Sequence, residues 1–384
     1  MLKNWAAKNQ APLAKCIFYF FKLLGTACIT YDRPRSSGNN NKLFNDRRYS
    51  ARKSRLGCVF NLAALCLTLP VNYQAMSYML RKTYNDDATI SPFEKVFNTG
   101  SDVCATASAG LVLLIFALDQ SRDVAIVEKL ASIVSRFQNR LPCLRLGKLV
   151  LLSGLVDLAW LLGTISHVSA RPWLSLTLYY SNFVLHATLL RYTVSLVLVQ
   201  HLYELVNARL DETIDSSRIW STTTTTAAAA AVDVRLARLL HSRCTEAVRD
   251  LAAFFSLPMT VCLPNVLMSA LLAGYWITKP MQPNNDNRIG CFVYALPFVY
   301  HIILLAWSAT GTVIESKRTS GIVNEISLQL VSKDPAIITE LNLFSMHLLH
   351  ADARIGVYGL FTIDESLLVS VSPSLCDISV IGTI

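Results

Sequence analysis

The sequence predicts an all-α polytopic membrane protein of seven transmembrane helices, with a cytoplasmic N-terminus, an extracellular C-terminus and helical extensions into the cytoplasm. Three observations carry the prediction. Of 384 residues, 53% are apolar and 16% charged, too hydrophobic a balance for a soluble domain of this length. Apolar runs long enough to cross a bilayer recur along the chain. Lys and Arg gather in alternate connections between those runs. The formal charge of +9 fits this orienting pattern and not a nucleic-acid partner, because no basic domain with interleaved aromatics stands apart. The ten cysteines follow no metal-ligand spacing, and Cys66, Cys104 and Cys262 read as buried thiols inside apolar runs.

Residues 1–56 form a cytoplasmic segment. Within it, "CIFYFFKLLGTA" is interrupted by Lys22 and is not followed by a small-residue cleavage site, so it reads as an uncleaved helix lying on the membrane. Spans need about 20 mostly apolar residues to cross about 30 Å of hydrocarbon. Six candidates lie between residues 57 and 314: Gly57–Leu80, Ser101–Leu118, Lys148–Ser169, Trp173–Tyr203, Leu251–Thr278 and Cys291–Ile314. Basic residues crowd the stretch before the first span, from Lys3 to Arg55, and return in the second connection (Arg122, Lys129, Arg136, Arg140, Arg145) and the fourth (Arg209, Arg218, Arg235, Arg238, Arg243, Arg249). The third connection has Arg171 alone, and the fifth has Lys279 and Arg288. Every connection therefore places the N-terminus inside, the reverse of a G-protein-coupled receptor.

Residues 211–233, which include the low-complexity tract "STTTTTAAAAA" (Ser221 to Ala231), read as an insertion in a surface loop. The flanks keep helical apolar spacing beyond the bilayer, so the fourth and fifth spans project into the cytoplasm. Residues 315–358 continue that helical region, broken once at Pro335. Residues 359–384 form the last helix.

No catalytic motif is present: HExxH, GxSxG, the P-loop and the Gly-rich dinucleotide turn are all missing from the sequence. The chain is not an enzyme, and nothing in it calls for a cofactor or a metal. What remains is a set of polar and aromatic residues at membrane depth. Asp157 sits near mid-span, where a carboxylate is costly. Two roles stand for it, a structural hydrogen bond to a neighbouring helix or a place in a ligand pocket, with His186 and Arg191 as candidate partners. His186 reads as an interhelical hydrogen-bonding residue. Arg191 is close enough to the inner interface to snorkel. Aromatics crowd the outer halves of the spans. Trp173 and Trp276, at helix ends, fit an interfacial belt. Trp160, Tyr179, Tyr180, Tyr294 and Phe298 offer instead an apolar pocket for a small organic ligand, with Asn182 and Asn265 as hydrogen-bonding groups.

The stretch "HADARIGVYGLFTIDESLLVS" resembles the approach to the last helix in the insect gustatory receptor family of seven-helix chemoreceptors. The likeness is carried by Gly359, Leu360, Phe361, Thr362, Ile363 and Asp364, together with the inside-N topology and the long middle helices. "FFKLLGTACITYD" is similar to the family's N-terminal segment. The resemblance implies a taste receptor in the plasma membrane of sensory neurons that acts as a ligand-gated, non-selective cation channel. It implies a homo- or heterotetramer with related subunits, a small-molecule tastant held by the first six helices, membrane lipid around them, and no G protein. It also implies that the final helix lines the pore, with Phe361, Asp364 and Ser366 at its mouth.

The family pattern ends in Thr-Tyr, about five apolar residues and Gln-Phe, whereas this chain ends in "SLCDISVIGTI" after Pro373, with Asp377 at membrane depth. Codons can be chosen for Leu375 to Ile384 and a stop that, read one base later, spell Cys-Ala-Thr-Tyr-Leu-Ser-Leu-Val-Gln-Phe. The expectation is a displaced reading frame between Ser366 and Ser374, which the nucleotide sequence decides. Two other classes make different demands on the sequence. A secondary transporter calls for internal repeats and a charged midplane site; no repeat is visible, and Asp157 stands nearly alone. A seven-helix scaffold without a channel calls for an intracellular C-terminus.

Overall fold

The computed structural model describes residues 19–22, 25–27, 29–32, 50–86, 92–137, 143–167, 172–219, 224–278, 288–330, 335–351 and 353–366. A short antiparallel pair, β1 (Ile29–Asp32) and β2 (Ser50–Lys53), precedes the helices. These are α1 (Arg55–Asp86), α2 (Pro92–Leu118), α3 (Gln120–Arg136), α4 (Cys143–His167), α5 (Pro172–Ile219), α6 (Thr224–Thr278), α7 (Arg288–Leu330) and α8 (Pro335–His350). A two-residue hairpin, β3 (Gly356–Val357) and β4 (Phe361–Thr362), follows.

The six expected spans fall one for one on α1, α2, α4, α5, α6 and α7, each of which holds an apolar stretch long enough to cross a membrane. Pro70, Pro258, Pro264 and Pro297 lie inside these helices, as membrane helices tolerate when neighbours re-satisfy the freed carbonyls. The pattern along α4 shows how lipid and core sort its side chains. Leu151, Leu155, Leu158 and Leu162 are exposed, while Ser153, Asp157 and Trp160 on the opposite stripe are buried. In lipid the leucines need no protein partner, so the polar stripe is free to face the bundle.

Helix α5 is the hub, packing against α1, α2, α4, α6 and α7. With 48, 55 and 43 residues, α5, α6 and α7 are about 65–80 Å long at 1.5 Å per residue. That is about twice the hydrocarbon thickness, so all three extend well past the bilayer, and α8 packs on α6 and α7 in the extension. Polar contacts stitch this end. Tyr203 Oη lies 3.0 Å from Thr245 Oγ1, Asn207 Nδ2 donates to Glu315 O at 3.0 Å, and Thr319 Oγ1 donates to Asn207 Oδ1 at 2.7 Å. Arg238 pairs with Glu340 of α8 at 3.1 Å.

Two expectations are corrected, and one connection holds a helix that the sequence reading did not give. Residues 211–233 are not a loop insertion: α5 runs to Ile219 and α6 starts at Thr224, leaving 220–223 outside the described residues. The Ala run has the highest helix propensity, and an ion pair between Arg209 and Asp233 at 2.7 Å joins the two helices across the junction. The second connection holds an amphipathic helix, α3, which buries Ile126, Leu130, Ile133 and Val134. The N-terminal turn at 19–22 does not rest on lipid alone: Phe21 is buried with Ala27 against Leu190 of α5. The rest of the expected interfacial helix, residues 16–18, 23 and 24, lies outside the described residues.

The last helix begins at Glu365 rather than at Gly359, and residues 367–384, which include the stretch expected to be frame-displaced, lie outside the described residues. The segment from Gly359 to Asp364 is instead the hairpin and cap that launch the helix. Leu360 N donates to Val357 O at 2.8 Å, closing a turn in which Tyr358 and Gly359 both have positive φ (49° and 70°), a conformation that favours glycine. Asp364 Oδ1 accepts from Ser366 N at 2.9 Å, and Thr362 Oγ1 donates to Asp364 Oδ2 at 3.0 Å, the bonding of a helix N-cap. Gly359→Val is expected to destabilise the fold by about 1–2 kcal/mol, read as a lower unfolding temperature of the purified chain. Gly359→Asn, which tolerates the left-handed region, is expected to recover much of the loss.

Candidate functional site

Asp157, on the inward stripe of α4, meets two imidazoles from two other helices. His186 Nδ1 of α5 lies 3.0 Å and His301 Nε2 of α7 3.2 Å from the same carboxylate oxygen, Oδ1. All three side chains are buried. A carboxylate at this depth requires hydrogen-bonding or charged partners, and two convergent N–H donors supply them. The other ring nitrogens, His186 Nε2 and His301 Nδ1, have no hydrogen-bond partner among the described residues.

One turn along α4 from Asp157, Trp160 is the centre of an aromatic group. Its ring lies 4.9 Å from Tyr179 in an edge-to-face arrangement and 6.0 Å from both Tyr294 and Phe298. Phe298 lies 5.3 Å from Tyr294 and, edge-to-face, 4.8 Å from His186. Trp160 also lies 5.6 Å from His186, so the rings and the Asp157 cluster form one continuous site across α4, α5 and α7. Each such pair contributes about 0.5–1.5 kcal/mol beyond area burial. Close helix approach makes this possible: a Cβ on Gly163 would stand 2.8 Å from Val293 Cγ1, so glycine there lets α4 lie against α7.

The structure thus joins Asp157, Trp160, Tyr179, Tyr294 and Phe298. Tyr180 is half-buried on α5 and takes no part in these ring contacts. Asn182 and Asn265 are buried, and Asn182 Oδ1 and both amide atoms of Asn265 lack hydrogen-bond partners among the described residues. Phe361 is half-buried in β4, packed against the main core, while Asp364 and Ser366 bond to each other in the cap. His301 is the residue the sequence reading missed. It stands inside "YALPFVYHIILLAW", and the signal was depth: Asp157, His186 and His301 each lie roughly a dozen residues, or about 15–20 Å, from the expected outer end of their span.

Arg191 is neither a partner of Asp157 nor a snorkelling side chain. Its guanidinium is buried, with Nη2 donating to Asp123 Oδ1 of α3 and Nη1 donating to Thr26 O of the N-terminal segment. The rings of Phe116, Phe254 and Phe255 surround it at 5.0, 5.8 and 5.7 Å from Cζ. This node locks α2, α3, α5, α6 and the N-terminal segment together. Asn61 of α1 adds to it, its Nδ2 donating to Gly25 O at 2.6 Å.

Comparison with known proteins agrees with this architecture. The 7tm chemosensory receptor family matches residues 14–381. Among solved structures, the insect olfactory receptor OR5 from Machilis hrabei superposes with a TM-score of 0.64 at 11% identity, over 98% of each chain. The same receptor in complex with eugenol gives 0.61 at 10% identity, over 98% of this chain and 99% of that one. No curated protein matches significantly in sequence. The family is one of receptors and not of enzymes, and its model spans nearly the whole sequence. This chain is a multi-pass membrane protein that belongs to the 7tm chemosensory receptor family.

Proposed function

We propose that the protein is a gustatory-type chemoreceptor, a ligand-gated, non-selective cation channel that responds to small organic tastants in the plasma membrane of insect sensory neurons. The observation that carries this reading is the Trp160-centred aromatic group, set among the membrane helices of a chemosensory receptor. Trp160 and Phe298 are fully buried, whereas Tyr179 and Tyr294 are only half-buried. A ligand would enter past the two tyrosines and stack against the inner rings. The OR5 structure in complex with eugenol is consistent with a small organic ligand in a fold of this kind. His186 Nε2, Asn182 and Asn265 would supply hydrogen bonds to it. Ligand binding would shift a closed-to-open equilibrium through differential affinity for the open form.

In this reading four subunits, identical or related, assemble with the extended end of α5, α6, α7 and α8 in the cytoplasm. The helix capped by Asp364 lines the pore, with Phe361 and Ser366 at its mouth. The Lys and Arg distribution supports that orientation. Glycosylation mapping of an acceptor site added at the C-terminus tests it. Modification of the tag is expected, and an unmodified tag that is reached only from the cytoplasm would contradict the channel topology and favour a scaffold.

A further inference from the structure

We propose that Asp157, His186 and His301 form a binding site for one divalent transition-metal ion of the zinc type, held between α4, α5 and α7. One ligand atom from each residue lies within 4.8 Å of those of the other two, and all three residues are buried. Ligand atoms around tetrahedral zinc, at about 2.0–2.1 Å from the metal, are about 3.3 Å apart. Asp157 Oδ1 stands 3.0 and 3.2 Å from the two imidazole nitrogens, and the two nitrogens, within 4.8 Å of each other, would draw together as the rings turn onto an ion.

The donor chemistry narrows the ion. Two imidazoles and one carboxylate suit zinc, cobalt, nickel or copper, whereas magnesium and calcium prefer oxygen alone. On binding, the nitrogens that donate to Asp157 lose their protons and become ligands. The opposite nitrogens, His186 Nε2 and His301 Nδ1, carry the N–H groups in that state. They have no competing partner among the described residues. Three protein ligands leave an open coordination position. The ion and one carboxylate leave a net positive charge in an apolar setting, so that position would take an anion such as hydroxide or a deprotonated ligand. The binding of an ion would cross-link three helices that also carry the aromatic group. The site itself does not depend on the channel reading, because binding is measured without current.

The test is titration of the full-length chain, purified in lipid nanodiscs, with Co2+ as the spectroscopic probe. The expected result is a tetrahedral d–d absorption that saturates at one ion per chain, is displaced by Zn2+, and is unaffected by Mg2+ or Ca2+. His186→Gln and His301→Gln are each expected to abolish it, while His347→Gln, on α8 outside the site, leaves it intact. His301→Cys guards against loss of fold as the cause: it is expected to add a thiolate-to-cobalt charge-transfer band. Absence of the absorption from the wild-type chain would overturn the proposal. So would an absorption that survives both glutamine variants, or a cysteine variant that folds but shows no new band.

Discussion

Arg191→Met is expected to cost about 3–5 kcal/mol of stability, because it strands the Asp123 carboxylate among apolar groups. The guanidinium makes two directional bonds, to Asp123 and to Thr26 O, and lies against three phenylalanine rings. A methionine keeps the ring contacts and loses both bonds. The double variant Arg191→Met with Asp123→Leu removes the charge pair altogether and is expected to be much closer to wild type, since well-packed apolar replacements of buried pairs are often neutral. Arg191→Lys should fall between, because an ammonium lacks the planar fork that serves two acceptors at once. Thermal unfolding of the detergent-solubilised protein and delivery to the cell surface read both effects. A single variant as stable as wild type would show that the node does not hold the N-terminal segment and α3 on the bundle.

Trp160→Ala is expected to abolish ligand responses and to cost about 3–5 kcal/mol, the usual range for emptying a buried aromatic site. The indole touches Tyr179, Tyr294, Phe298 and His186, so its loss unsettles the whole inner wall of the proposed pocket. Trp160→Phe separates the two consequences. It keeps a ring in place, reaches the membrane, and is expected to change the order of ligand preference. A Phe variant with the wild-type ranking across many ligands would mean that ligands bind elsewhere.

Much of this fold could be read from the sequence, for identifiable reasons. The membrane helices were legible because apolar length is a strong signal, and the long extensions because periodicity continued past each span. The "GLFTID" stretch was legible as a resemblance; the structure supplies its physics, a turn that favours glycine at 359 followed by a cap at Asp364. Residues 211–233 misled because low complexity resembles a loop, although an Ala run between two helical flanks simply lengthens a helix. Asp123 was hidden because a carboxylate in a charged connection usually faces water, and only the amphipathic docking of α3 buries it. His301 was hidden because a lone histidine in an apolar run carries no spacing signal. The depth it shares with Asp157 and His186 can be counted from the span ends, but that these three helices face one another at that depth is a tertiary fact.

The most direct test of the receptor reading is whole-cell current from cells expressing the full chain, alone and with a related receptor subunit, across a broad tastant panel. A variant with Cys-Ala-Thr-Tyr-Leu-Ser-Leu-Val-Gln-Phe in place of residues 375–384 is expressed in parallel, so that a defect of the last helix is not mistaken for a wrong function. The reading predicts an inward, non-selective cation current evoked by at least one small organic compound, without added nucleotide or G protein, and lost in Trp160→Ala. Surface-localised protein that gives no current in either form, across the panel and with the partner subunit present, would contradict it.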